Sequence, residues 1–155
     1  LRKEYDFYRE NRIRVVHTGD PELLPPFVRK EIKAVTDDTA DFKGMVLNLA
    51  INYGGRDEIV RSVNRWLQTV KSDNGDKPSI SIDDIKSYLD QPNIPDPDLI
   101  IRTAGEQRLS NFLLWESAYS EYYFGKKLWP DWIDEDLYDA IESYSQRKRK
   151  YGGAR

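Results

Sequence analysis

Leu1, Tyr5 and Tyr8 stand at i, i+4 and i+7, the spacing of one helical face, and predict an opening helix. No capping residue precedes them, so the helix is expected to be entered partway, as in the back portion of a longer protein. Ile13-Arg14-Val15-Val16-His17-Thr18 is rich in β-formers and runs into Gly19-Asp20-Pro21, which predicts a strand closed by a turn. A helix is expected after Pro25-Pro26, with Val28, Ile32 and Val35 on one face. Met45-Val46-Leu47-Asn48-Leu49-Ala50-Ile51 is almost continuously apolar, the pattern of a strand covered on both sides.

Asp57 opens the next predicted helix, in which Ile59, Val63, Trp66, Leu67 and Val70 form a wide apolar stripe. Residues 71–79 are polar, with Asn74-Gly75 and Pro78, and read as a mobile surface loop. A short helix is expected over about 83–90, burying Ile85, Tyr88 and Leu89. Pro92, Pro95 and Pro97 then lead to a buried strand, Leu99-Ile100-Ile101-Arg102. Beyond the polar stretch 106–111, Phe112-Leu113-Leu114-Trp115 predicts an apolar helix reaching Tyr119. Tyr122-Tyr123-Phe124 and Leu128-Trp129 read as a last strand, and a closing helix from Asp134 turns Leu137, Ile141 and Tyr144 inward. Its acids lead and its bases trail, as the helix dipole favours. Strands alternating with helices imply an α/β fold with a mostly parallel central sheet flanked by helices.

At 155 residues the chain suits one domain, 1–155. Its 24 bases against 27 acids give a net charge of −3, which argues against bulk binding to nucleic acid and leaves room for a local basic pocket. Without cysteine there is no disulfide scaffold, cysteine nucleophile or thiolate metal site, and the single histidine, His17, excludes a multi-histidine centre. No apolar run approaches the ~20 residues of a membrane span, and no signal peptide opens the chain, so a cytoplasmic address is expected.

In open parallel sheets ligands bind beyond the carboxyl ends of the strands. Three such ends here are His17-Thr18-Gly19-Asp20, Asn52-Tyr53-Gly54-Gly55-Arg56, and the run from Arg102 through Gly105, Glu106, Gln107 and Arg108 to Ser110. Glycines admit an anion to the backbone, helix N-termini add partial positive charge, and arginine offers a planar fork. The pattern sketches a phosphate or diphosphate pocket. Arg102 closes a buried strand, where an unpaired charge is costly; either it pairs with a carboxylate such as Glu106 or Glu121, or it meets a ligand anion. Arg108 and Ser110 are spaced to reach one phosphate, or else form a solvated loop with a serine cap. His17 reads as a structural histidine. The aromatics Tyr119, Tyr122, Tyr123, Phe124, Trp129 and Trp132 read as core or subunit interface, or as the wall of an apolar ligand site.

The run Asp96-Pro97-Asp98-Leu99-Ile100-Ile101-Arg102-Thr103-Ala104-Gly105-Glu106-Gln107-Arg108-Leu109-Ser110-Asn111-Phe112-Leu113-Leu114-Trp115 resembles the signature of the cis-prenyltransferases, above all of undecaprenyl diphosphate synthases. The likeness continues through Ala118-Tyr119-Ser120-Glu121 and Leu128-Trp129-Pro130-Asp131. Upstream, Leu47-Asn48-Leu49-Ala50-Ile51-Asn52-Tyr53-Gly54-Gly55-Arg56-Asp57-Glu58-Ile59 is similar to a second family motif.

The resemblance implies a transferase that condenses isopentenyl diphosphate with an allylic diphosphate such as farnesyl diphosphate. Its product would be a Z-polyprenyl diphosphate such as undecaprenyl diphosphate, the precursor of a cell-wall lipid carrier. It implies Arg102, Arg108 and Ser110 as anchors of isopentenyl diphosphate and Glu121 as a residue of a Mg2+ site, with Glu106, Gln107, Gly54, Gly55 and Arg56 as auxiliary. It implies as well a homodimer formed through the C-terminal strand and helix, and peripheral membrane contact through the lipid product. The family's Met-Asp-Gly-Asn-Gly-Arg motif, source of its catalytic aspartate, is not among these residues, so the 155-residue chain alone is expected to be inactive. The family's Arg-x-Gly appears as Lys150-Tyr151-Gly152, and Ala104 replaces a frequent glycine or serine. Two other readings are a non-catalytic dimerisation subunit and a generic sugar-phosphate or nucleotide binder. The second lacks both a Walker loop and a Gly-x-Gly-x-x-Gly fingerprint.

Overall fold

Hydrogen bonding joins Arg14–Thr18 (β1) to Val46–Ala50 (β2) as a parallel pair, in register from Arg14↔Val46 to Thr18↔Ala50. The structure, a computed structural model, describes residues 4–70 and 79–148. The expectations for Leu1, for 71–78 of the polar loop and for Lys150-Tyr151-Gly152 lie outside the described residues. The chain divides into two compact units, Leu1–Ile94 and Pro95–Arg155. The division falls where Pro92, Pro95 and Pro97 crowd the sequence.

In the first unit, Tyr5–Glu10 (α1) and Pro26–Asp38 (α2) accompany the β1–β2 pair. Tyr8, Ile13, Val15 and Val35 form the buried cluster, with Tyr5, Leu47 and Leu49 packed against it. Pro26 opens α2, where its missing N–H costs nothing. Thr39 closes that helix: its hydroxyl donates to the Val35 carbonyl at 2.8 Å and accepts the Val15 amide at 2.9 Å, tying helix end to strand. Gly19 stands at φ +127°, and a Cβ there would lie 2.3 Å from the Ile51 carbonyl oxygen, so the turn after β1 requires glycine.

Three expectations for this unit need correction. β2 alternates rather than being covered on both sides: Leu47 and Leu49 are half-buried while Val46, Asn48 and Ala50 are exposed. The helix after β2 is Gly55–Thr69 (α3); of the expected stripe it buries Trp66 and half-buries Ile59 and Val63, leaves Leu67 exposed, and buries Gly55, Glu58 and Ser62 besides. Hydrogen bonding explains the two polar residues, because Ser62 Oγ donates to the Ile85 carbonyl at 2.6 Å and Glu58 has two partners of its own. The next helix is Ile82–Ser87 (α4), begun by a Ser81–Asp84 capping box. Leu89 is buried in the turn beyond it.

In the second unit Leu99–Arg102 (β3) pairs in parallel with Glu121–Phe124 (β4), from Leu99↔Glu121 to Arg102↔Phe124. Asp134–Ser145 (α5) follows. The fold class is α/β, with its parallel strands realised as two two-stranded pairs, one in each unit. The helix expected over 112–119 shrinks to a 3-10 turn, Glu116–Tyr119. Left-handed backbone at Ser110, Asn111 and Leu113 keeps helical geometry from starting earlier. Leu128-Trp129 is not strand; Trp129–Asp131 forms a second 3-10 turn, with Pro130 inside it. α5 buries Ala140, whereas Leu137 and Ile141 remain 44% and 49% exposed.

Candidate diphosphate site

The Leu-Ile-Ile run of β3 delivers Arg102 to the strand's carboxyl end, beside Phe124 of β4. The loop that follows is stitched to the chain after β4. Ala104 N–H donates to the Lys127 carbonyl at 2.7 Å, Gly105 N–H to the Gly125 carbonyl at 2.9 Å, and Gly125 N–H to the Arg102 carbonyl at 2.8 Å. Gly125 has no room for a side chain, since a Cβ would meet the Trp132 ring at 2.4 Å.

A cavity of about 250 Å3 opens at this end of the pair. Arg102 and Arg108 line it together with Ile100, Phe112, Tyr122 and Phe124. Tyr122 and Phe124 stack, with ring centroids 6.1 Å apart. Ser110, at φ 51°, is exposed and is not among the lining residues. Thus two of the three expected anchors share one cavity and the third lies off its wall.

Arg102 meets neither of the carboxylates weighed for it: its Nη1 donates to the main-chain carbonyl of Arg108. Arg108 in turn pairs through Nη1 with Glu106 Oε2. Gln107 is exposed in the same loop.

Glu121 stands elsewhere. It pairs with Leu99, at the opposite end of the strands from Arg102, and alternation puts its side chain on the face away from Tyr122 and Phe124. Its Oε2 accepts Arg147 Nη1 at 2.8 Å. Among the described residues no three acidic or histidine side chains gather closely enough to hold a metal ion. Magnesium is ordinarily held by one or two carboxylates together with substrate phosphate, and Glu121 offers one such carboxylate, here engaged by the Arg147 guanidinium.

The auxiliary residues of the first unit sit at the carboxyl end of β2. Gly54 caps α3, its carbonyl accepting Glu58 N–H at 2.9 Å; Gly55 is buried and Arg56 is exposed in the first turn. His17 is satisfied structurally, Nε2 donating to the Ile51 carbonyl at 2.9 Å. Asn52 Nδ2 donates to the Asp20 carbonyl at 2.8 Å, so the two strand-end turns are joined.

Sequence reasoning missed the polar cluster behind those turns. Glu58, 1% exposed, accepts Tyr53 Oη–H at 2.6 Å and Asp90 N–H at 3.0 Å. Asp90 accepts Gly19 N–H at 2.9 Å, Arg61 Nη2 at 2.8 Å and Arg65 Nη2 at 2.7 Å. Burial pushes the Asp90 carboxyl up, but these donors outweigh it and hold it below the ordinary carboxylate value. The same hydrogen bonds raise the Arg61 guanidinium above its usual range. The available signal was the i, i+4, i+8 spacing of Glu58, Ser62 and Trp66.

Residues 1–152 match the undecaprenyl diphosphate synthase family (Prenyltransf). An isoprenyl transferase of Thermotoga maritima is 50% identical over 97% of this chain and 64% of its own length. A tritrans,polycis-undecaprenyl-diphosphate synthase (geranylgeranyl-diphosphate specific) of Picrophilus torridus is 45% identical over 92% of this chain and 56% of its own. The crystal structure of a probable undecaprenyl diphosphate synthase from Campylobacter jejuni superposes with a TM-score of 0.86 at 32% identity, covering 98% of this chain and 69% of that one. Lavandulyl diphosphate synthase from Lavandula x intermedia, in complex with dimethylallyl diphosphate, gives 0.83 at 33% identity, with the same coverage. The chain spans about two thirds or less of the length of the curated relatives it matches. With the match running through both strand-end motifs and nearly the whole chain, the protein belongs to the undecaprenyl diphosphate synthase family of prenyltransferases.

Proposed function

We propose that the full-length protein condenses isopentenyl diphosphate with an allylic diphosphate, such as farnesyl diphosphate, to a Z-polyprenyl diphosphate of the kind that feeds a cell-wall lipid carrier. The observation that carries this reading is a single cavity combining two guanidinium groups with an apolar wall of Ile100, Phe112, Tyr122 and Phe124. Such a lining suits an amphiphile whose diphosphate meets the arginines and whose hydrocarbon meets the wall.

In the reaction, the allylic carbon–oxygen bond breaks and its electron pair leaves with the diphosphate. The double bond of isopentenyl diphosphate supplies the pair for the new carbon–carbon bond, and a proton leaves the isopentenyl unit. The part assigned to Arg102 and Arg108 is to hold the isopentenyl diphosphate in place for that attack, spending binding energy on position. Ser110 is carried as a third anchor by the resemblance alone. A magnesium requirement belongs to the same proposal for the full-length protein, as does a cytoplasmic setting with membrane contact through the product. Among the described residues no helix is long and apolar enough to cross a membrane.

Pairing of two copies through the region of β4 and α5 is part of the proposal. It is supported by apolar side chains left uncovered there, Trp129 at 72% exposed among them, with Leu137 and Ile141.

Labelled isopentenyl diphosphate, incubated with farnesyl diphosphate and the full-length protein, is expected to enter a longer product. No product beyond the allylic substrate would refute the reading. The 155-residue chain alone is expected to show little or no turnover, and synthase activity from it would overturn that part.

A further inference from the structure

We propose that Glu106 is a built-in competitor for the substrate's diphosphate, holding Arg108 until the substrate displaces it. The inference rests on the reading of Arg108 as a diphosphate anchor given above.

Both guanidinium groups of the cavity are engaged by oxygens of the same loop. Glu106 Oε2 holds Arg108 Nη1, and the Arg108 carbonyl accepts Arg102 Nη1. The loop thereby closes on itself, with a carboxylate paired to the guanidinium of a residue that lines the cavity. Local preference does not impose this shape. Ala104, Ser110, Asn111 and Leu113 all take left-handed backbone, which L-residues adopt at a cost, so contacts within the loop have to hold it.

The Glu106–Arg108 pair is accessible, with the side chains 35% and 63% exposed, and an ion pair in that setting is weak enough to be displaced. A diphosphate brings more charge and more acceptor oxygens than one carboxylate and displaces it readily.

The test uses the full-length protein, with inorganic diphosphate and inorganic phosphate as calorimetric probes. Glu106→Gln keeps the side chain's shape and removes its charge. It is expected to bind both diphosphate and phosphate about threefold to fivefold more tightly, the value of an exposed pair. KM for isopentenyl diphosphate should fall in parallel, while Glu106→Asp, which keeps the carboxylate, stays near wild type. Unchanged or weaker diphosphate binding by Glu106→Gln, in a protein that makes product, overturns the proposal. Failure of both wild type and variant to bind diphosphate or form product would instead remove the functional reading, and this inference with it.

Discussion

The amide of Asp90 donates to Glu58 Oε1 at 3.0 Å, so a fully buried carboxylate fixes the residue whose own carboxylate gathers Arg61, Arg65 and the Gly19 amide. Through Tyr53, which bonds Glu58 at 2.6 Å, the same cluster reaches the turn after β2. The carboxyl ends of both strands in the first unit are therefore set from behind by two acids that lie outside the site itself.

Asp90→Asn should destabilise the protein by about 2 kcal/mol, because Arg65 would lose its carboxylate partner and Arg61 would keep only the exposed Asp57. Urea unfolding measures this, and a loss below about 0.5 kcal/mol would show that the cluster carries little.

Acid should act through the same residue. Its folded pKa is depressed, so its contribution is complete above the unfolded carboxylate value near ~3.9 and is lost as pH falls through the folded value. Wild-type stability is expected to drop as pH falls below about 4, and Asp90→Asn should flatten that part of the profile. Parallel profiles would contradict the assignment.

Backbone conformation gives an opposed pair of variants. Ala104 stands at φ 65°, where glycine is unstrained, so Ala104→Gly should be neutral or stabilising by up to about 1 kcal/mol once the added unfolded-state entropy is counted. Gly19→Ala should unfold the protein at a markedly lower temperature, since its Cβ would press on the Ile51 carbonyl. Thermal melts of the two variants check both signs.

The uncovered apolar surface of α5 predicts association. Ile141→Asp, on a position 49% exposed, should leave the fold intact and convert a dimer to a monomer in sedimentation of the full-length protein. A wild-type monomer, or a variant that still dimerises, would contradict the interface.

What could be read from sequence follows from what each residue needs nearby. The Leu99-Ile100-Ile101-Arg102 strand was legible because β-branched residues and a closing arginine need no distant information. The buried face of α2, with Ile32 and Val35, was legible for the same reason. The buried face of α3 was legible only in part, because hydropathy favours Ile59 and Val63, whereas Glu58 is accommodated by Tyr53 and by an amide 32 positions away. The segment before Glu116 looks helical by composition; Asn111 is a type that tolerates left-handed backbone, but Leu113, which also adopts it, is not. The resemblance implies Arg102, Arg108 and Ser110 as one set of anchors, but that each arginine is engaged by its own loop depends on how the backbone closes.

The central claim, that Arg102 and Arg108 anchor isopentenyl diphosphate, is tested most directly by steady-state kinetics of Arg108→Ala in the full-length protein. A hydrogen bond between charged groups is worth about 1.5–3 kcal/mol, so KM for isopentenyl diphosphate should rise roughly tenfold to a hundredfold while KM for the allylic substrate changes little. An unchanged KM for isopentenyl diphosphate would contradict the account.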